Sequence, residues 1–106
     1  MSKAWPPKDT DETLNYSIDW SRFMGTDTLS SVLWFVDDSD GVKTSITAPQ
    51  TTNGITIDAV SSTSTVTTIQ LSSGTNNKKY RFYCRITFST SGLVAERSVF
   101  LTIKDK

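Results

Sequence analysis

Residues 80–88 read YRFYCRITF. Tyr80, Phe82, Cys84, Ile86 and Phe88 fall on one side, and Arg81, Tyr83, Arg85 and Thr87 on the other. A period of two held over nine residues means a strand with one buried face, because successive side chains of an extended backbone point to opposite faces. Wound as a helix, the same residues would scatter around the cylinder. Residues 89–92, STSG, then make a tight turn, and LVAERSVFLTI returns with Val99, Leu101 and Ile103 inward. A hairpin is therefore expected here.

The same period recurs upstream. Leu14, Tyr16, Ile18 and Trp20 give a strand over 12–20, and Val32, Trp34 and Val36 one over 29–36, with Leu33 and Phe35 on its other face. Val42, Thr44 and Ile46 suggest a short strand, and Ile55, Ile57 and Ala59 share a phase over 55–60. Over 64–71, Val66 is out of phase with Ile69 and Leu71, which predicts a bulge near Thr67-Thr68. Asp40-Gly41 and Asn53-Gly54 are turn signals. The count predicts an all-β, antiparallel β-sandwich of about seven strands, of immunoglobulin or fibronectin-III type. In such a fold Trp34 fills the core, Cys84 serves as a small hydrophobe and the Tyr80 hydroxyl ties a corner. Residues 1–11, with Pro6-Pro7, read as an extended N-terminal arm and 12–106 as the sandwich domain.

Little in the sequence points to chemistry. The chain has no histidine and one cysteine, which removes the commonest general base and any thiolate metal cage. No glycine-rich phosphate cradle and no Gly-x-Ser-x-Gly elbow occur. The acidic run DDSDG fails the calcium-loop pattern at both ends and reads as a turn. Catalytic residues, cofactors and metal ligands are therefore not expected. Eleven basic and eleven acidic residues cancel, so no basic field exists to hold nucleic acid. No apolar run is long enough to span a bilayer, and no secretory signal is expected. A single cysteine fits folding inside a cell.

What remains is contact. Trp5 stands before Pro6 and Pro7 in a polar arm with no local core to join, and is expected to anchor in a neighbour's pocket. Removing residues 1–8 is accordingly expected to spare the fold and weaken assembly. Arg22, Phe23 and Met24 form a loop tip that is either a contact patch or a lid over the sandwich end.

The order of several short motifs resembles the tailed-phage family of fiber-tail adaptor proteins. Lys8, Asp9, Asp11 and Glu12 match its opening, followed by Asp19-Trp20, the Gly25-Thr26-Asp27-Thr28 loop, and Trp34 with Val36. Residues 71–75 (LSSGT), Tyr80, Arg85-Ile86-Thr87, Arg97-Ser98-Val99, Leu101 and Ile103 continue the match. The segment 37–63 departs from it, with Asp37, Asp38, Ser39 and Asp40 where the family has Pro and Gly. The resemblance implies a non-enzymatic structural protein of the virion tail or neck, made in the host cytoplasm. Its partners would be tail, neck and fiber subunits, with copies in a homo-oligomeric ring around the tail axis, and no nucleic acid or membrane. A capsid or tail decoration domain, or a free-standing carbohydrate- or protein-binding sandwich, are the other readings.

Overall fold

A computed structural model describes residues 3–105; the side chains of Lys3 and Met24 lie outside what it describes. Nine strands and one helical turn follow one another as β1 (Lys3–Ala4), β2 (Leu14–Asp19), α1 (Ser21–Met24), β3 (Leu29–Asp37), β4 (Lys43–Ser45), β5 (Gln50–Thr52), β6 (Ile55–Ser62), β7 (Val66–Ser73), β8 (Lys79–Phe88) and β9 (Val94–Thr102). They form two sheets, ordered β1-β9-β8-β3-β4 and β2-β7-β6-β5. Every pairing is antiparallel except β1 on β9. The all-β sandwich expected from the alternation is the fold observed.

The core is made by the residues whose phase the sequence displays. Trp34, Val36, Phe82, Cys84, Ile86, Val99 and Leu101 come from one sheet, and Tyr16, Ile18, Ile55, Ile57, Ile69 and Leu71 from the other. Trp34 is only 3% exposed. Tyr80 ties a corner: its hydroxyl donates to the Asn53 carbonyl (2.8 Å) and accepts from the Thr75 amide (3.0 Å), joining the β5–β6 and β7–β8 turns. Asn53 and Gly54 both have positive φ (56° and 87°), the geometry of a tight two-residue hairpin turn. A Cβ on Gly54 would come within 2.7 Å of Thr75 Oγ1, so glycine is required there for space as well as conformation.

Three features depart from the expectation. The bulge predicted near Thr67-Thr68 is absent, and β7 alternates without interruption: Thr67, Ile69 and Leu71 are all buried. Thr67 takes a core position because its hydroxyl accepts the Trp20 indole N–H at 3.1 Å. The extra residue is on the partner strand, Asp58, where the register shifts between Ile57 and Ala59. That bulge turns Ala59 out of the phase of Ile57 and brings Val60 opposite Ile69. The third departure is the N-terminal segment's place. Trp5 does have a core to join: its ring stacks on Tyr16 (centroids 4.8 Å) and meets Phe82 (5.8 Å) and Trp34 (6.2 Å). The Trp5 amide donates to Phe100 O and the Lys8 amide to Thr102 O, so the segment runs along β9. The ladder is interrupted at Pro6-Pro7, which have no N–H to give. Lys8 is fully buried, with Nζ donating to Ser73 O (2.8 Å) and Asp9 O (2.7 Å). Burial lowers its ammonium pKa, against the nearby Glu12, Asp9, Asp11 and Asp58, which raise it.

The sandwich's two lateral sides differ. On one, β1 and Trp5 bridge β9 to β2. On the other, β4 covers β3 only along Phe35–Asp37 and β5 covers β6 only along Ile55–Ile57.

Candidate functional site

The residues singled out as contact candidates sit in two places. Arg22 and Phe23 lie on α1 at one end of the sandwich, where both are exposed; Met24 closes that turn, and its side chain is outside the described residues. Trp20 precedes the turn and is 1% exposed. Asp19 accepts the Ser21 amide at 2.9 Å, which starts the turn and holds the Asp19 carboxyl below its usual range. The chain thus buries Trp20 and then folds back, which lifts Phe23 onto the surface, 53% exposed. Phe23 is not loose: its ring packs on Phe88 (5.7 Å) and Trp20 (6.3 Å), and the Arg97 guanidinium lies 5.1 Å above it.

The β8–β9 turn completes this end. Asp27 accepts the amides of Thr28 (2.8 Å), Thr90 (3.0 Å) and Ser91 (3.3 Å), and Ser89 N donates to Thr28 O. These donors, the Thr90 amide foremost, hold the Asp27 carboxyl down at about 2. The turn in turn presents Leu93 and Val94, 62% and 60% exposed. Phe23 and Leu93 are therefore bulky apolar side chains on two connecting segments that Asp27 fixes to each other, and Val94 follows as the first residue of β9.

Trp5, Pro6 and Pro7 are elsewhere. Both prolines are exposed, and Pro6 O accepts the Tyr16 hydroxyl at 3.4 Å. Trp5 itself is half-buried. It does not touch Phe23, but a groove of about 200 Å³ connects the two neighbourhoods, lined by Ala4, Trp5, Ile18, Asp19, Arg97 and Val99 among others. Arg97 is the residue in common, lining that groove and covering Phe23 and Trp20.

Sequence reasoning missed a third surface, the outer face of β3, β8, β9 and β4. Phe35, Tyr83 and Phe100 are half-buried there and cations lie over them. Lys43 is 4.8 Å from the Phe35 ring and 4.7 Å from Tyr83; Arg81 is 5.1 Å from Tyr83 and Lys79 4.5 Å from Phe100. Glu96 pairs with Lys43 (2.7 Å) and Arg85 (3.1 Å), and the Lys43 hydrogen bond leads in holding its carboxyl below the usual range. Tyr83 donates to Asp37 at 2.9 Å. The signal was in the sequence: Arg81, Tyr83 and Arg85 are the outward members of the very strand whose inward members define the fold. Stacking of stems and guanidinium planes on these rings leaves little bare aromatic face for a sugar to lie on.

For reactive groups, the Cys84 thiol is fully buried and its pKa is pushed up to about 12 by that burial, far from a nucleophile's value. In the DDSDG turn, Asp38 Oδ1 accepts the amides of Asp40 and Val42, both at 2.9 Å. That use of the carboxylate is local turn chemistry. Among the described residues no helix is long and apolar enough to cross a membrane.

Against known proteins, the sequence matches the family described as Podophage GP4 fiber-tail adaptor protein gp77, over residues 8–102. No curated protein matches it. The match takes in both sheets, the buried Trp20 and the Asp27-fixed end, and the chain belongs to the podophage GP4 fiber-tail adaptor protein gp77 family.

Proposed function

We propose that this chain, a structural component of a phage tail by its family, joins tail or neck to fibers through protein–protein contacts and does no catalysis. The observation that carries this reading is the pair of exposed apolar side chains Phe23 and Leu93 at the sandwich end, on two segments that Asp27 ties to each other, with Val94 beside Leu93 at the start of β9. Bulky apolar side chains on a braced loop end lose little entropy when a partner covers them, which suits a permanent contact. The missing histidine and the buried thiol support a role without catalysis. Trp5, Pro6 and Pro7 supply a second contact in this reading, with the exposed prolines rather than the indole meeting the neighbour. Several copies stand around the tail's rotational axis, assembled after synthesis in the host cytoplasm. The strand order, with β1 parallel to β9 and β2-β7-β6 opposite, supports an immunoglobulin-type sandwich.

The test is quantitative mass spectrometry of purified particles carrying Leu93→Asp, at a position with no ring contact. Incorporation should fall by about tenfold or more while the isolated protein melts as before. Normal copy number in the variant would remove the loop end from the interface. A wild-type chain absent from purified particles would overturn the adaptor reading altogether.

A further inference from the structure

The open side of the sandwich carries unused bonding capacity. Beyond β4, residues 30–33 of β3 have, among the described residues, a strand neighbour only in β8, the Leu29 amide being taken by Ser64 O of the β6–β7 turn; beyond β5, residues 59–62 of β6 have one only in β7. Two uncovered edges thus face each other across a groove of about 240 Å³, lined by Leu29, Ser30, Val32, Trp34, Val60 and Ser62 among others. Val60 lies opposite Ile69, in the inward phase that Ile69 shares with the core, yet it is 42% exposed while Ile69 is fully buried. An inward residue left this open marks a place in the sandwich that no strand among the described residues fills.

The polar groups agree. Trp34 is 97% buried by its 3% exposure and lines the groove, and its indole Nε1 finds no hydrogen-bond partner among the described residues. Past Val60 the groove continues into a second hollow lined by Ile46, Thr47, Ala48, Asp58 and Ala59, where Asp58 Oδ2 is buried and equally without a hydrogen-bond partner among the described residues. Buried donors and acceptors are nearly always paired, and leaving one unpaired costs about 1–3 kcal/mol. On β3 the Trp34 carbonyl already accepts from Ile46 N, so by the alternation of an antiparallel ladder Val32 turns its own amide and carbonyl to the uncovered edge.

We infer that this groove accepts an extended strand donated by another virion polypeptide, which adds to the free edge of β3 or β6 and completes the side of the sandwich. The inference rests on the adaptor reading for its partner. The first hollow has no charged lining, so the donated strand is uncharged where it crosses Val32 and Val60 and sets small apolar side chains against them. An extended backbone offers carbonyls and amides in turn, which suits it to accept from Trp34 Nε1 and donate to Asp58 Oδ2. The chain's own N-terminal strand is not the occupant in the same molecule, since it is engaged on β9.

Hydrogen exchange read by mass spectrometry, on the isolated protein and on purified particles, tests this directly. Peptides covering 29–34 and 59–63 should exchange at least about tenfold more slowly in particles, whereas the β1–β9 edge should be protected in both. Val60→Lys should leave the melting temperature within about 2 °C and cut incorporation by about tenfold or more. Unchanged exchange at both edges in particles that contain the chain, or normal incorporation of Val60→Lys, overturns the strand-acceptor site and leaves the adaptor reading standing. Protection that appears in the isolated protein as its concentration rises assigns the groove to a second copy and overturns the choice of partner.

Discussion

Where β9 and β2 approach each other, the N-terminal segment fills the gap; where β3 and β6 approach each other, no strand among the described residues does. Both sides pose one physical problem. Two twisted sheets leave a seam at each edge, and core residues near the seam are wetted unless something bridges it. On the first side the bridge is an aromatic ring. Trp5 hangs from the sheet of β9 yet stacks on Tyr16 of the opposite sheet. On the second side the short β4 and β5 stop early, and Val60 and Trp34 line an open groove. The difference teaches that a completed seam needs a long side chain delivered by a segment that is itself hydrogen-bonded in place. The closed side has both, through Trp5 and the pairing of Lys3 and Ala4 with Val99 and Phe100.

The largest effect should come from the residue between the two sides. Trp34 meets Trp5 on one flank and the groove on the other, and is almost wholly buried. Trp34→Ala should cost about 3–5 kcal/mol and lower Tm accordingly in a thermal melt. A melt that does not move would mean the rings of the closed side pack without it, and the sides could not be compared as flanks of one core.

Next comes the bridge. Sequence alone sets Trp5 apart from any core and makes residues 1–8 dispensable for folding; the packing gives a different expectation. Trp5→Ala should cost about 2 kcal/mol, as expected for a large, partly buried side chain, and deletion of 1–8 more, because Lys8 is lost as well. Urea titration of the two variants measures this. A deletion as stable as the full chain would show the closed side to be closed in appearance only.

This contrast also marks what could be read from the sequence. The alternation in β8 and β9 is local, so it shows in a window of nine residues, and with it came the sheets, the core and Tyr80 as a corner tie. The place of Trp5 is not legible, because its neighbours Tyr16, Phe82 and Trp34 are distant in sequence and nothing in a polar, proline-containing segment announces them. The bulge falls on β6 and not on β7, where the sequence puts it, for a related reason. Val66 suggests a phase change in β7, but register belongs to a pair of strands, and only the partner shows that Asp58 is the extra residue. β1 and β5 are too short to carry a period at all. Of the residues proposed for contact, Phe23 is legible in the sequence, whereas Asp27 and Arg97, which fix and cover its turn, are joined to it only by the fold.

A smaller effect separates the sandwich end from the sides. The end is held by charge: Asp27 receives three amides, and its folded pKa of about 2 lies below the ordinary 3.8. A depressed carboxyl stabilises above its unfolded value and loses that contribution as pH falls toward the folded one. Amide exchange at Thr90 and Ser91 should therefore quicken as pH drops from 4 toward about 2, once corrected for intrinsic rates, while the Trp5–Tyr16 seam, which is apolar, holds. Asp27→Asn should remove the pH dependence. Equal loosening of the seam would mean that end and side open as one unit.

The smallest effect is the sharpest test of the open side. Val60 has the inward phase of a core residue and the exposure of a surface one. In the isolated protein Val60→Ser should change stability by less than about 0.5 kcal/mol, the range of surface substitutions. Its cross-strand partner Ile69, fully buried, has no such tolerance, so phase alone does not decide the outcome; cover does. A loss above about 1 kcal/mol at Val60 would mean the groove is packed shut in solution by the chain itself. The two sides would then be alike, and the free edges of β3 and β6 would no longer be available to a donated strand.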